Sequence, residues 1–296
     1  MNNKSKGIVF GVLAAFIFGF TPILGKLTYF EGSNTMSLTF YRSLLSLPFL
    51  YSMLKYKKVD FKINKIQCKK LAILALLGPT LTALTLYGSY SYITVGISTT
   101  IHYIYPVLVI AASILIFKEK INKEKLIALV FSTVGIMMFF EGSYNIKGFA
   151  LALLSSVIFA TYLLYIDKSG TKKMYHFKIT FYLSIFSSIY LFIAGTLSSS
   201  LVLVMTYKGW IFTVIIAFFA SFLGNTFIMI SIKYAGPAVT SIVGLFEPIT
   251  SIVMGILFLH EPITLRNVIA CILILLGVLI VTLTKEKIQE DEQGFV

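Results

Sequence analysis

The sequence predicts an all-α integral membrane protein, with ten transmembrane helices arranged as two inverted five-helix repeats and both termini cytoplasmic. Three observations support this fold class. The chain of 296 residues is 57% hydrophobic and only 12% charged, which is too apolar for an ordinary soluble domain. Apolar runs long enough to cross a bilayer fill most of the chain. Segments of its two halves also match each other at a constant spacing.

Each predicted span is an apolar run close to the roughly 20 residues that a helix needs to cross the hydrocarbon core. The first run is longer than the apolar region of a typical secretory signal, so we interpret it as a span. Uniformly apolar runs exclude the alternating strands of a membrane barrel. In order, the predicted spans are 7–27, 36–54, 71–92, 97–117, 124–141, 148–166, 178–197, 209–232, 237–259 and 265–284.

Basic residues set the predicted orientation. Twenty of the 25 Lys and Arg residues fall on the same side as the N-terminus, four fall on the other side, and Arg42 lies within span two. The positive-inside rule therefore places both termini in the cytoplasm of a multi-pass protein of the plasma (inner) membrane. The net charge of +13 is expected to orient helices and contact anionic lipid, with no nucleic-acid partner. The excess of Lys over Arg suggests a low-GC bacterium.

The sequence contains neither a complete phosphate-binding loop nor a complete zinc-protease motif. Gly25-Lys26 is not preceded by a phosphate-binding loop. His260-Glu261 begins like a zinc-protease motif, but Thr264 stands where the second His is required. The longest polar stretch, about 55–70, is too short for a soluble catalytic domain. We therefore expect no enzyme activity, no catalytic residue, no cofactor and no metal site.

An internal repeat is the most informative feature of the sequence. The stretch that begins at Ser98 aligns without a gap with the stretch that begins at Thr240. The pairs matched at an offset of 141 or 142 are Pro106 and Pro248, Glu119 and Glu261, Gly135 and Gly277, and Gly7 and Gly148. The predicted repeats are 1–143 and 144–296, the second ending in a polar tail from about 285. Because five is odd, the second copy must be inverted in the membrane, as in many secondary transporters.

These features resemble the EamA family of the drug/metabolite transporter (DMT) superfamily. The resemblance covers nearly the whole chain. It rests on the five-plus-five repeat, on each Pro followed thirteen residues later by Glu, on the first span that ends in Gly25-Lys26, and on Arg42. The resemblance implies ten helices around a central cavity and transport of small metabolites, often amino acids or related compounds and often outward. The superfamily also includes uptake systems, facilitators and exchangers.

Glu247 is the acidic residue placed deepest in a predicted span. It lies about ten residues into span nine, or roughly 15 Å from the inner end. A carboxylate at this depth is costly, so it is expected to face the bundle interior, where it is paired or protonated. Such a group can bind a cation or carry a proton, so Glu247 is a candidate for substrate binding and proton coupling. The alternative is a protonated Glu that serves helix packing alone.

Span four supplies a second candidate face. Its polar members at helical spacing are Ser98, His102 and Tyr105, which the 142 offset carries onto Thr240, Gly244 and Glu247. We expect the two faces to meet across the cavity, where His102 exchanges a proton with Glu247 or binds an anion. The alternative is a structural His with satisfied hydrogen bonds.

The two repeated prolines and the two repeated acids have more general expected roles. Pro106 and Pro248 lack an N–H, so they are expected to kink spans four and nine and to leave carbonyls unpaired, either for substrate or as plain kinks. Glu119 and Glu261 are expected to bond backbone or basic groups at the repeat junctions.

The remaining candidates are a buried amide, two aromatic side chains and two basic residues. Asn225 needs partners if it is buried, and Tyr87 and Tyr162 are expected to line the cavity for amines or amphipathic metabolites. Arg42 is expected to snorkel to the interface and serve orientation and packing. Lys26 is expected to anchor the outer end of span one, with a gate or carboxylate contact as the alternative.

The sequence thus predicts a secondary transporter of a small polar or amphipathic metabolite, such as an amino acid or related compound. Outward transport by alternating access, with possible proton coupling, is the favoured mechanism, and a monomer that contacts substrate, protons and lipids is the favoured state. Alternatives of the same fold are a facilitator, an uptake system or an exchanger. An alternative of another class is a multi-span lipid- or partner-binding protein without transport.

Overall fold

A computed structural model describes residues 3–93, 95–118, 121–138, 145–247, 249–250, 253 and 265–283. Every regular element among these residues is helical. The α-helices are α1 (Asn3–Phe30), α2 (Thr35–Tyr56), α3 (Lys65–Ala75), α4 (Ala83–Ser89), α5 (Val95–His102), α6 (Tyr105–Leu115), α7 (Lys123–Met137), α8 (Ile146–Lys168), α9 (His176–Leu197), α10 (Tyr207–Ile216), α11 (Asn225–Gly244) and α12 (Leu265–Leu283). Two π-helices, Leu76–Thr82 and Ala217–Gly224, join α3 to α4 and α10 to α11.

Five continuous helical stretches in the described part of the chain are long and apolar enough to cross a membrane. They are Asn3–Phe30, Lys65–Ser89, Ile146–Lys168, His176–Leu197 and Tyr207–Gly244. Helix α2 is also 22 residues long, but it is less apolar because Ser and Thr side chains line its buried face. The all-helical membrane fold is therefore confirmed, whereas the count of ten spans and the cytoplasmic placement of both termini stay predictions.

Polar caps set where the helices begin. Span three was expected to start at residue 71, but helix α3 begins at Lys65 because Asn64 and Gln67 form a reciprocal capping box. The Thr206 side chain accepts a hydrogen bond from the Gly209 N–H and caps α10 in the same way. Asn64 and Thr206 are separated by the repeat offset of 142.

Span four, predicted over 97–117 with a kink at Pro106, is divided by a turn into two helices. Helix α5 ends at His102, Tyr103 and Ile104 form a turn, and α6 starts at Tyr105. Pro106 cannot donate to the carbonyl four residues before it, which weakens the helix at this point. A matching turn at residues 245–246 follows α11, again at an offset of 142. Pro248, Glu119, Glu261 and the tail from 285 lie outside the described residues.

The π-helices also repeat at an offset of 141 to 142. Pro79 interrupts the hydrogen-bond ladder of the first one, as prolines commonly do at bulged turns. Ala220 stands at the matching position of the second, so a missing N–H does not explain that one. Between predicted spans eight and nine the chain bends sharply at Gly236, whose φ is 78°, a value that a Gly adopts without strain.

The two halves of the chain are interleaved. Helix α1 packs on α11, whereas α8, its counterpart in the second half, packs on α4, α5 and α6. Gly7 allows a close approach of α1 to α11, since a Cβ there would lie 2.8 Å from Ala235. A Cβ on Gly148 of α8 would lie 2.8 Å from Tyr92. Each first helix therefore contacts the opposite half at equivalent positions.

Two further helix pairs cross between the halves. Helices α2 and α9 meet through small hydroxyl residues, where the Ser46 hydroxyl donates to Ser184 at 3.0 Å and Ser43 lies 3.5 Å from Ser187. Small side chains and buried hydroxyl pairs of this kind are common between membrane helices. Helices α7 and α12 meet at Gly135 and Gly277, the pair matched in the sequence.

Adding one methyl group at this last crossing should destabilise the protein. A Cβ on Gly277 would lie 2.7 Å from the Ala128 carbonyl oxygen, so Gly277→Ala should cost about 1–3 kcal/mol of stability through overpacking. Gly88→Ala is the matched control, since its Cβ meets only Leu151 at 4.0 Å. The control should be neutral or slightly stabilising because Ala favours helix. The thermal unfolding midpoint in detergent measures both, and equal midpoints for the two variants would contradict this packing.

Candidate functional site

A cavity of about 1030 Å³, including the part that opens to solvent, lies between the two halves. Helices α1, α2, α4, α5, α6, α8 and α11 contribute to its wall, together with the first π-helix and the segment that follows α11. The sequence-predicted residues in its wall are Glu247, His102, Tyr105, Asn225, Thr240, Tyr87 and Tyr162.

Glycines make room for two of these aromatic side chains. A Cβ on Gly78, in the first π-helix, would lie 2.5 Å from the Tyr162 ring. A Cβ on Gly244 would collide with the Tyr105 hydroxyl, which donates to the Ser241 carbonyl at 3.3 Å. The repeat-related wall positions of α6 and α11 therefore touch each other directly, as the sequence predicted.

The cavity has a second chamber that leads toward the end of α1. Both chambers share Thr21, Pro22, Tyr87 and Tyr90. The second chamber extends to Phe30, which is 75% exposed at the end of α1. Near Gly11, at the opposite end of the main chamber, a cluster of buried aliphatic side chains packs together: Ile8, Ile110, Val239, Ile242 and Val243. The cavity is therefore more open toward Phe30 than toward the beginning of α1.

Glu247 lies in the cavity wall with tyrosines around it. The Tyr103 hydroxyl is within hydrogen-bonding reach of the carboxyl group, and Tyr90 and Tyr105 are electrostatic neighbours. Among the described residues, no Lys or Arg forms an ion pair with Glu247. A carboxyl group with only neutral neighbours is available to a proton or a cationic ligand.

The predicted contact between His102 and Glu247 was wrong. The His102 ring instead turns toward α8, where Nδ1 lies 2.9 Å from the Ser155 hydroxyl oxygen. Ser155 donates its own proton to the Ala152 carbonyl at 2.6 Å, so His102 Nδ1 must be the donor to Ser155. This bond orients the ring and leaves Nε2 as the basic nitrogen. His102 is 8% exposed and packs near Tyr105 and Phe159.

Ser98 does not line the cavity, contrary to the sequence-based expectation. It is fully buried, its hydroxyl has no partner, and the neighbouring Thr99 lines the wall instead. The cavity-lining positions here are Thr99 and His102 of α5 and Tyr103 of the turn that follows it. Thr240 is in the wall, but its hydroxyl already bonds the Gly236 carbonyl at 2.7 Å.

Arg42 was expected to snorkel toward the membrane surface, and that expectation was wrong. Its side chain is only 6% exposed and lies in the cavity wall. The Nη1 donates to the Tyr87 hydroxyl at 2.8 Å, and the guanidinium carbon lies 5.9 Å from the centre of the Tyr87 ring. The side chain of Lys26 lies outside the described part of the structure.

The sequence argument missed several wall residues, including Thr21, Thr82, Tyr90, Tyr103 and Phe159. Tyr103 does not lie on the polar face that helical spacing predicts for span four. The amide of Asn225 faces the cavity without a hydrogen-bond partner among the described residues. In the same part of the chain, no group of three or more His, Cys, Asp and Glu could hold a metal ion.

Comparisons with known proteins agree with this architecture. Sequence models of the EamA-like transporter family match residues 5–140 and 146–283. An uncharacterized transporter of Archaeoglobus fulgidus is 28% identical over 193 residues, which span 64% of this chain and 68% of that protein. The uncharacterized transporter YvbV of Bacillus subtilis is 28% identical over 241 residues, 77% of each chain.

Two further similarities extend over almost the whole chain. An uncharacterized transporter of Clostridium kluyveri is 23% identical, over 93% of this chain and 92% of that protein. A protein of known crystal structure superposes with a TM-score of 0.79 at 13% sequence identity, over 94% of this chain and 97% of that chain. This structural similarity shows a shared fold.

Thiol labelling should reveal which side chains the cavity exposes to water. In a background with Cys68→Ser and Cys271→Ser, Thr21→Cys should react with a polar maleimide in detergent because Thr21 borders both chambers. Ser187→Cys is the matched control, since Ser187 is fully buried between α2 and α9. We expect labelling of Thr21→Cys to be at least about tenfold faster, as thiol reactivity depends on access. Equal rates would contradict the cavity described here.

Proposed function

The chain belongs to the EamA-like transporter family, and on that premise we propose that it is a secondary transporter that exports a small polar or amphipathic metabolite. The proposed substrate is an amino acid or related compound, and the membrane is the plasma (inner) membrane of a bacterium. The cavity between the halves 1–143 and 144–296 is the proposed path. The polar groups in the wall of that cavity support transport over passive lipid binding, because an apolar ligand would leave them unpaired.

The proposal rests mainly on Glu247, a carboxyl group that lines the cavity. An acid without a cationic partner in a membrane interior is costly, and proteins retain such groups where an ion or proton moves. The carboxyl group can hold a proton in one step and a cationic part of the substrate in another. Exchange between these two occupants would couple outward movement of substrate to inward movement of protons.

The shape of the cavity supports alternating access. The second chamber extends to the exposed Phe30, whereas the cluster around Ile8 and Val243 packs near the other end of the cavity. If both termini are cytoplasmic, as the basic residues predict, the route toward Phe30 faces the outside of the cell. Movement of one inverted repeat against the other would then close this route and open the opposite one.

The proposal needs no cofactor, no metal and no nucleic acid. Both halves of one chain build the cavity, so a monomer is sufficient for the proposed cycle. The proposed partners are therefore the substrate, protons and the surrounding lipids. His102 is proposed to contribute through its Nε2, as a hydrogen-bonding group and a second proton site near Tyr105.

Replacing Glu247 should separate proton coupling from exchange. Purified protein in liposomes is tested with a panel of radiolabelled amino acids and amines. A proton gradient should drive wild-type transport of at least one compound, whereas Glu247→Gln should fall to the level of protein-free liposomes because it can no longer release a proton. Counterflow exchange of the same compound should persist in the variant.

Glu124→Gln is the matched control, since Glu124 is an exposed residue in the first turn of α7. It should retain wild-type coupling. Equal gradient-driven transport in Glu247→Gln and wild type would rule out Glu247 as the proton carrier. No movement of any compound by wild-type protein would contradict the proposed substrate class.

A further inference from the structure

Arg42 is a second ionisable residue in the cavity wall, besides Glu247. Helix packing alone does not require a charged side chain at this position. The side chain projects from α2 and is 6% exposed. It borders the same chamber as Glu247. A buried guanidinium in a membrane interior is costly unless an anion compensates it.

The protein itself supplies no such anion among the residues that the structure describes. The hydrogen-bond partner of Arg42 is the Tyr87 hydroxyl, at 2.8 Å, and a phenol leaves the positive charge uncompensated. Its Nε is buried without any acceptor. Glu247 and Arg42 share the cavity but form no ion pair with each other.

A second unpaired donor lies in the same wall. The hydroxyl of Tyr90 is buried and has no hydrogen-bond partner among the described residues. Tyr90 borders both chambers, and its ring centre lies 5.7 Å from that of Tyr87. It therefore lies next to the Arg42–Tyr87 pair, in the chamber that Glu247 also lines. Two orphaned donors beside one uncompensated cation indicate an anion that is supplied from outside the chain.

The charge of the site selects the class of anion. Among the described residues that line this chamber, Arg42 is the only Lys or Arg, so the wall offers a single permanent positive charge. A carboxylate carries one negative charge and matches the planar guanidinium in shape. A phosphate group, with up to two negative charges, would keep an uncompensated charge in the cavity.

We propose that Arg42, with Tyr90 beside it, is the subsite that binds the carboxylate of the transported molecule. The inference rests on the proposed function and deepens it, because it assigns the two ends of the substrate to separate groups. The carboxylate binds at Arg42, and the ammonium group lies toward Glu247 and its tyrosines. The substrate is therefore a zwitterion, and an amine that lacks the carboxylate binds less tightly.

Matched pairs of ligands test this subsite. The probes are L-leucine, L-phenylalanine, L-lysine and 4-aminobutyrate, each compared with its carboxamide, in thermal unfolding of the full-length protein in detergent. A ligand that binds the native state raises the unfolding midpoint. At least one acid should raise the midpoint of wild type, with an apparent affinity at least about tenfold above that of its amide.

Variants of Arg42 provide the second readout. Arg42→Gln should bind the acid and the amide equally, whereas Arg42→Lys should recover part of the preference because it keeps the charge. Lys208→Gln is the matched control, since it removes an exposed positive charge on α10 outside the cavity. It should keep the full preference. Ligand titrations are compared only among variants that unfold in a cooperative transition in the absence of ligand.

The outcomes separate this inference from the proposed function. Stabilisation by an amide as strong as that by its acid, or an acid preference that survives Arg42→Gln, would overturn the carboxylate subsite and leave the transporter proposal intact. No stabilisation by either member of any pair would overturn both. Loss of the preference in Arg42→Gln alone, with its partial return in Arg42→Lys, would support the subsite.

Discussion

The rest of this structure depends on one constraint, which is that backbone N–H and C=O groups cannot be left unpaired in lipid. The chain meets it by forming helices almost throughout its described part. The turn at Tyr103 and Ile104 borders the cavity, and the first π-helix contributes Gly78 and Pro79 to the cavity wall. The second π-helix packs against α1 and α2. Two of these three interruptions of α-helix therefore border the cavity, and the third is packed against neighbouring helices.

Because the two halves interleave, both of them supply residues to the cavity wall. Helix α1 lies against the second half and α8 lies against the first, so neither half can form the cavity alone. Small residues at the crossings, such as Gly7 and Gly148, permit this close approach. The result is a chamber whose described wall carries the carboxyl group of Glu247 and the guanidinium group of Arg42, which form no ion pair with each other. That separation is the physical basis of the proposed zwitterion site.

Helical content and the repeat were predictable because they depend on properties that sequence displays directly. Apolar runs predict helices in lipid, and a constant offset of 142 links Gly135 to Gly277, which the structure brings to one crossing. The depth of a residue in the membrane was also predictable, since each residue of a helix advances a fixed distance along the helix axis. This is why Glu247 and Tyr105 were expected near the cavity.

The direction in which a side chain points was much less predictable. Ser98 and Thr99 are neighbours in α5, and it is Thr99 that lines the cavity wall. Arg42 could extend outward or inward from the same depth, and only its hydrogen bond with Tyr87 shows the direction. The orientation of the His102 ring likewise depends on its hydrogen bond with Ser155, which lies in the other half, 53 residues along the chain. Such choices are set by tertiary packing, which helical periodicity does not describe.

The most direct test of the account is an experimental structure determined with a saturating concentration of the amino acid that most raises the unfolding midpoint. The account predicts density for the ligand in the chamber between Arg42 and Glu247, with its carboxylate at the guanidinium group. Density for the ligand at another place, or a chamber filled by side chains while the ligand is bound elsewhere, would contradict it.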